Sequence, residues 1–142
     1  MSMIHYVRRL LDLAHHLRQQ LEVGLRGVSD LTFERVMILS FVENRGGQAT
    51  ISQLADDMSR TSHTITSTVG GLERRGLVTR MRGIDGDGRR VQVSVTNAGE
   101  VVLERCLEAL SELVEPLLLR DDPEAKERLV AALTTLEELF QV

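Results

Sequence analysis

Leu72-Glu73-Arg74-Arg75-Gly76-Leu77-Val78-Thr79-Arg80 changes its hydrophobic period at one glycine. Before Gly76, the apolar residues Ile65, Val69 and Leu72 recur at the spacing of one helical stripe. After it, Leu77-Val78-Thr79-Arg80-Met81 is a short extended run. Val91, Val93 and Val95 then alternate with Gln92 and Ser94, the mark of a half-buried strand. Between the two runs stand Gly83, Gly86 and Gly88 with Asp85 and Asp87, a turn-rich tip. The stretch therefore predicts a helix closed by Gly76 as C-cap, followed by a two-stranded hairpin whose tip carries Arg89 and Arg90.

Upstream, Thr61 is a good N-cap for that helix, and Ser59-Arg60 is a turn. Thr50 to Ser59 reads as another short helix. Its Thr50 and Gln53 are spaced as a capping box, with Leu54, Ala55 and Met58 inward. Two short helices joined by a tight turn and followed by a hairpin make a winged helix-turn-helix, placed at residues 31–96. A preceding helix starts after Thr32, turns Val36, Leu39 and Val42 inward, and stops between Asn44 and Gly47.

The outermost segments are helical by period. Ile4, Val7, Leu11, Ala14, Leu17, Leu21 and Leu25 mark the first, ended by Gly24 and Gly27. Asn97 and Glu100 are spaced as a capping box for a helix reaching about Leu119, which Pro116 should kink or loosen. Asp122 caps a final helix with Pro123 at its first position and Leu129, Val130, Leu133, Leu136, Leu139 and Phe140 as its stripe. The predicted fold class is mainly α: one protomer, 1–142, with long dimerisation helices at 1–25 and 97–142 around the winged centre.

Composition narrows the function. The chain has 142 residues, 3% aromatics, no Trp and one cysteine, so its core must be aliphatic, and a disulfide framework or cysteine-rich zinc site is excluded. Arg8, Arg9 and Asp12 interrupt the early apolar residues, arguing against a signal peptide, and no apolar run approaches a membrane span. A cytoplasmic location, with no membrane partner, is the expectation. Net charge is −4, yet Ser59 to Gln92 carries Arg60, Arg74, Arg75, Arg80, Arg82, Arg89 and Arg90 against Glu73, Asp85 and Asp87. A block of about +4 inside an acidic chain is the footprint of a local nucleic-acid surface.

The chemistry agrees. A helix fits the major groove of B-DNA, where base edges present distinguishable donors and acceptors. Ser62, His63, Thr66 and Ser67 are small or polar groups on the outward face of the second helix. On their own they read better as a solvated polar face. An arginine at a hairpin tip, Arg89 or Arg90, can enter a narrow minor groove, where the negative potential is strengthened, and Asp87 could hold it in position. Thr61 completes the groove-facing set, while Arg60, Arg74 and Arg80 would contact phosphates or brace the wing.

Several segments together resemble the multiple-antibiotic-resistance regulator (MarR) family of bacterial winged-helix transcription factors. They are Leu31-Thr32, Thr50-Ile51-Ser52-Gln53-Leu54-Ala55, Thr64-Ile65-Thr66, the Leu72–Arg80 string, Asp87-Gly88-Arg89 and Val95-Thr96-Asn97-Ala98-Gly99. The Leu72–Arg80 string also occurs in other winged-helix families; the flanking long helices favour this one. The resemblance implies a homodimer with interlocked first and last helices and two recognition helices facing successive major grooves of a pseudopalindromic operator. It implies repression relieved by a small lipophilic or phenolic effector. In the family, ligands occupy a crevice between the first, second and fifth helices. Leu11, His15, Val36 and Leu39 are the candidates to approach it, and they read equally as core. The chain departs from the pattern in a wing one residue longer, so that Arg90 could take the place of Arg89, and in Arg60 at a turn position that is often apolar. Gly70-Gly71 inside the recognition helix is a further departure, read as close phosphate approach, a looser helix end or tolerated drift.

Physics also favours a dimer. Leu107, Leu110, Leu113, Leu117 and Leu118 spread around their helix, and one small domain cannot cover them together with the last stripe, although a hairpin of the last two helices would bury part. Cys106 reads as a buried inert thiol beside Leu103, Leu107 and Leu110. His5, His15 and His16 lack a carboxylate at partner spacing, and Asp85-Gly86-Asp87-Gly88 lacks the later acidic ligands of a calcium loop, so no metal or cofactor is expected. No catalytic motif is present and none of the residues is assigned catalysis. The competing functions are a winged-helix protein-interaction module, which the arginine-rich wing disfavours, and a transcriptional activator.

Overall fold

The computed structural model describes residues 2–83, 86, 88–116 and 122–142, with the backbone of 117 and 118. The elements are α1 (Met3–Arg26), α2 (Phe33–Asn44), β1 (Gln48–Thr50), α3 (Ile51–Met58), α4 (Ser62–Arg74), β2 (Val78–Arg82), β3 (Val91–Val95), α5 (Asn97–Leu118) and α6 (Pro123–Phe140). The fold is mainly helical with a winged helix-turn-helix at its centre.

Local chemistry sets the boundaries. Thr32 Oγ1 accepts the amide of Arg35 and starts α2. Thr50 and Gln53 satisfy each other's amides at 3.0 and 3.1 Å, the predicted capping box of α3. Gly76, at φ +72°, lies just past α4; its amide and that of Leu77 bond back to the carbonyls of Glu73 and Leu72. That Schellman arrangement buries Leu77 against Leu72 and turns the chain directly into β2. At the end of α3 the left-handed position falls instead to Ser59, at φ 52°.

Three expectations change. The sheet has three antiparallel strands in the order β1-β3-β2, because Gln48–Thr50 pairs with Gln92–Ser94 on the free edge of the hairpin. The cap of α5 is Thr96, not Asn97: its Oγ1 accepts the Gly99 amide and donates to the Gly76 carbonyl, tying the helix start to the end of α4. Gly24 does not end α1, which runs on to Arg26; a Cβ there would lie 2.7 Å from Leu113 Cδ1, so the glycine admits α5 against α1.

The core sits between α2, α3, α4, the sheet and the start of α5. Ile38, Leu39, Val42, Leu54, Val69, Leu72 and Val93 are fully buried there, joined by Leu25, Leu103 and Cys106. Around it the terminal helices are bare. In α1 only Leu25 is buried, and in α6 nothing is. Ile4, Val7, Leu11 and Leu17 on α1 and Val130, Leu133, Leu139 and Phe140 on α6 are exposed, as are Leu107 and Leu113 on α5. The side chains of Leu117 and Leu118 lie outside the described residues, as do Asp85 and Asp87, on which the readings of a calcium loop and of an arginine-holding Asp87 fall.

Candidate nucleic-acid interface

The candidate reading helix is α4. Ile65, Val69 and Leu72 anchor one face in the core, which forces Ser62, His63, Thr66 and Ser67 onto the exposed face. Thr61 is its N-cap: the Oγ1 accepts the Thr64 amide at 3.2 Å and lies 2.9 Å from the Thr64 hydroxyl. The Thr61 side chain is thus committed to starting the helix. Thr66 donates its hydroxyl to the Ser62 carbonyl at 2.7 Å, which directs the remaining lone pairs of that oxygen outward as acceptors.

Gly70 and Gly71 are buried, and α4 runs unbroken through them. A Cβ on Gly71 would meet a guanidinium nitrogen of Arg35 at 2.5 Å. Both glycines are turned into the body of the protein, Gly71 against Arg35 of α2 and Gly70 beside Arg74 of its own helix. Neither a phosphate approach nor a loosened helix end describes the pair.

The wing stands beside α4. Val78 pairs with Val95 and Arg82 with Val91, so the strands leave the core at one end and carry Gly83, Gly88, Arg89 and Arg90 outward at the other. Arg80 on β2 donates to Glu73 on α4 at 2.9 Å, and this hydrogen bond holds the Glu73 carboxyl below the usual carboxylate range. The pair fixes the wing's angle against the reading helix. Arg89 and Arg90 are exposed and line a groove of about 450 Å³ together with Thr50, Ser52, Gln53, Ser62 and Thr66. A neighbouring groove of about 600 Å³ joins Thr66 to Arg80, Arg82 and Arg89.

The predicted residues thus divide. Ser62 and Thr66 share a concavity with Arg89 and Arg90. His63 and Ser67 are exposed on the same helix. Arg74 is exposed in its last turn, near Gly70. Arg60 lies across the turn from α2, where its Nη2 is 3.2 Å from Glu34. Three residues were overlooked as site members: Ser52 and Gln53 at the start of α3, and Arg82 on β2. The signal for Arg82 was its strand position near the tip. For the α3 pair it was their place beside Thr50 on the polar side of an amphipathic helix.

The proposed effector residues do not gather. Val36 and Leu39 are core, 3% and 0% exposed, whereas Leu11 and His15 stand exposed on α1. A separate cleft of about 440 Å³ opens at the joint of α1 and α2, lined by Glu22, Leu25, Arg26, Ser29 and Phe33 among others. Cys106 is buried, 3.7 Å from Ser29 Oγ. His5, His15 and His16 are all exposed.

A family profile described as MarR family matches residues 29–90. No curated protein matches the chain by sequence. Solved structures do. A MarR family protein from Bacillus stearothermophilus shares 23% identity at a TM-score of 0.81, over 100% of this chain and 99% of that one. Staphylococcus aureus MepR in complex with DNA shares 23% at 0.72, over 99% of each chain. The organohalide-sensing regulator RdhR-CbdbA1625, in its 2,4-dichlorophenol-bound form, shares 19% at 0.74, over 97% of this chain and 81% of that one. At such identities the likeness is one of fold. The profile runs from the segment before α2 to the wing tip, and the solved structures share the same architecture through α1, α5 and α6: the chain is similar to MarR-family winged-helix regulators in sequence over that segment and in fold over its whole length.

Proposed function

We propose that two copies of this chain associate through α1, α5 and α6 and bind a pseudopalindromic operator. Each copy sets α4 in a major groove and its wing in the adjacent minor groove. The observation that carries this reading is the shared groove in which Ser62 and Thr66 face Arg89 and Arg90. Base edges need donors and acceptors on a protruding helix, and the narrow minor groove attracts arginine. The exposed apolar faces of α1 and α6 support the homodimer. Promoter DNA as target places the protein in the cytoplasm.

The sign of regulation is proposed as repression, relieved by a small lipophilic or phenolic effector. The dichlorophenol-bound relative supports that ligand class. Leu11 and His15 are exposed on α1, where a second protomer would have to complete any crevice, while Val36 and Leu39 lie in the core.

The test is fluorescence anisotropy on a duplex selected from a random pool by the wild-type protein. Arg89→Ala with Arg90→Ala should weaken binding and flatten the slope of log affinity against log salt by up to about two units. Unchanged affinity and slope would remove the wing from the interface. In vitro transcription with and without the protein decides repression against activation.

A further inference from the structure

Arg60 is the residue of the α3–α4 turn that follows left-handed Ser59 and precedes the cap Thr61. Its guanidinium does not project toward the groove lined by the wing. Nη2 lies 3.2 Å from Glu34 Oε1 in the first turn of α2. The same oxygen receives Arg18 of α1 at 3.4 Å, and Arg18 is steadied by Glu22 at 3.0 Å and by stacking 5.2 Å over the Phe33 ring. One carboxylate thus joins α1, α2 and the α3–α4 turn, and one of its two cations sits a single residue from the cap of α4.

We propose that Glu34 is a positioning residue for DNA reading: it acts through Arg60 to set the entry of α4, and Arg60 is not a phosphate contact. The proposal rests on the DNA-binding reading above. Two uses of Arg60 exclude each other. A guanidinium engaged with Glu34 orients the turn and releases no counterion when DNA binds. A guanidinium given to a phosphate neutralises charge there and leaves Glu34 as a competitor with the backbone. The two uses predict opposite signs for the loss of the carboxylate. If Glu34 positions, its removal weakens the complex. If it competes, removal strengthens it.

The geometry favours positioning. Thr61 is fixed by its cap bonds to Thr64, and Ser59 occupies a backbone conformation that few non-glycine residues hold without help. A turn of so few residues transmits any change at Arg60 straight into the direction of α4. Exposed ion pairs are individually weak, so the effect is a modest one.

The experiment compares Glu34→Gln, Arg60→Gln and the double variant with the wild type, by anisotropy on the duplex the wild-type protein selects, across a salt series. Each single variant should lose roughly five-fold in affinity with its salt slope unchanged. The double should lose no more than the worse single, because both act through one contact. A merely structural contribution to folding would lower the thermal midpoints in step with the losses of affinity. A tighter or unchanged complex in Glu34→Gln, additive losses in the double, or a slope flattened by about one unit in Arg60→Gln would each overturn the proposal. If the wild-type protein selects no duplex, the DNA-binding reading fails, and this assignment fails with it.

Discussion

The terminal helices are richer in apolar residues than the winged centre, yet it is the centre that buries its own. From α2 to the start of α5, inward positions are filled within the chain: Ile38, Leu39, Leu54, Val69, Leu72 and Val93 have no exposure. The 24 residues of α1 bury Leu25 alone, and the 18 of α6 bury none. Full burial of such a side chain stabilises by about 1.5–3 kcal/mol. The centre realises that gain by folding, and the ends defer it to association. Most helical stability in proteins comes from packing an amphipathic face, and α6 buries no residue within the chain. The difference teaches that the winged centre fills its own core, whereas the terminal helices keep apolar faces that the proposed dimer would cover.

The largest effect should come from the bare ends. Leu133→Glu with Leu136→Glu puts two charges into the apolar stripe of α6, where Leu133 is half exposed in the single chain. Burying unpaired carboxylates costs several kcal/mol, so sedimentation equilibrium should find a monomer. DNA affinity should fall by about 100-fold or more, since one half-site is then read alone. The winged centre should keep its helical circular dichroism. A dimer that survives both charges would break the comparison.

Within the centre, the tightest joint is Gly99. A Cβ there would overlap the Leu77 carbonyl oxygen and approach a Val95 methyl at 2.8 Å. Backbone cannot step aside as a side chain can, so Gly99→Ala should cost about 1–3 kcal/mol in urea unfolding. Gly27, at the end of α1, has only the Gly24 carbonyl 4.0 Å from the same virtual atom, and its φ of −76° suits any residue. There Gly27→Ala should gain about 0.4–1 kcal/mol by restricting the unfolded chain. Equal effects at the two glycines would mean that the ends are as closely packed as the centre.

The sequence made this contrast only half visible. The change of period at Gly76, the capping box at Thr50 and the outward polar face of α4 were legible because each depends on residues a few positions apart. The strand β1 was not: three residues ending in a helix cap carry no period of their own, and its pairing with β3 is long-range. Thr96 and Asn97 both make good caps locally; the choice falls to Thr96 through its bond to the Gly76 carbonyl, a contact between distant elements. For Gly70-Gly71 the sequence leaves phosphate approach, a looser helix end and tolerated drift open; Arg35 of α2 packed on Gly71 is a long-range contact that no spacing reveals. Spacing leaves Arg60 and Arg80 between phosphate contact and bracing of the wing; in the fold Arg80 braces it through Glu73 and Arg60 turns to Glu34. Sequence spacing marks the basic segment, and tertiary contacts decide what each of its arginines pairs with.

The smallest effect sharpens the comparison by pH. Asp57 on α3 accepts two bonds from Arg45 at the end of α2, both 2.8 Å, and this bidentate contact holds its carboxyl below its ordinary value of 3.8. A carboxyl whose folded pKa is depressed adds stability that is complete above its unfolded value, and loses it as pH falls through the folded value. Asp57→Asn should therefore lower urea stability at pH 7 by no more than about 1 kcal/mol, given the pair's partial exposure. The gap between variant and wild type should close as pH drops below about 4, because protonation removes the same charge from the wild-type side chain. The pair joins α2 to α3 and touches neither α1 nor α6, so the dimer's dissociation constant at pH 7 should stay unchanged. A gap that persists at low pH would assign the loss to packing and not to charge. A shift in dimerisation would show that the centre and the ends are coupled more tightly than their separate burial implies.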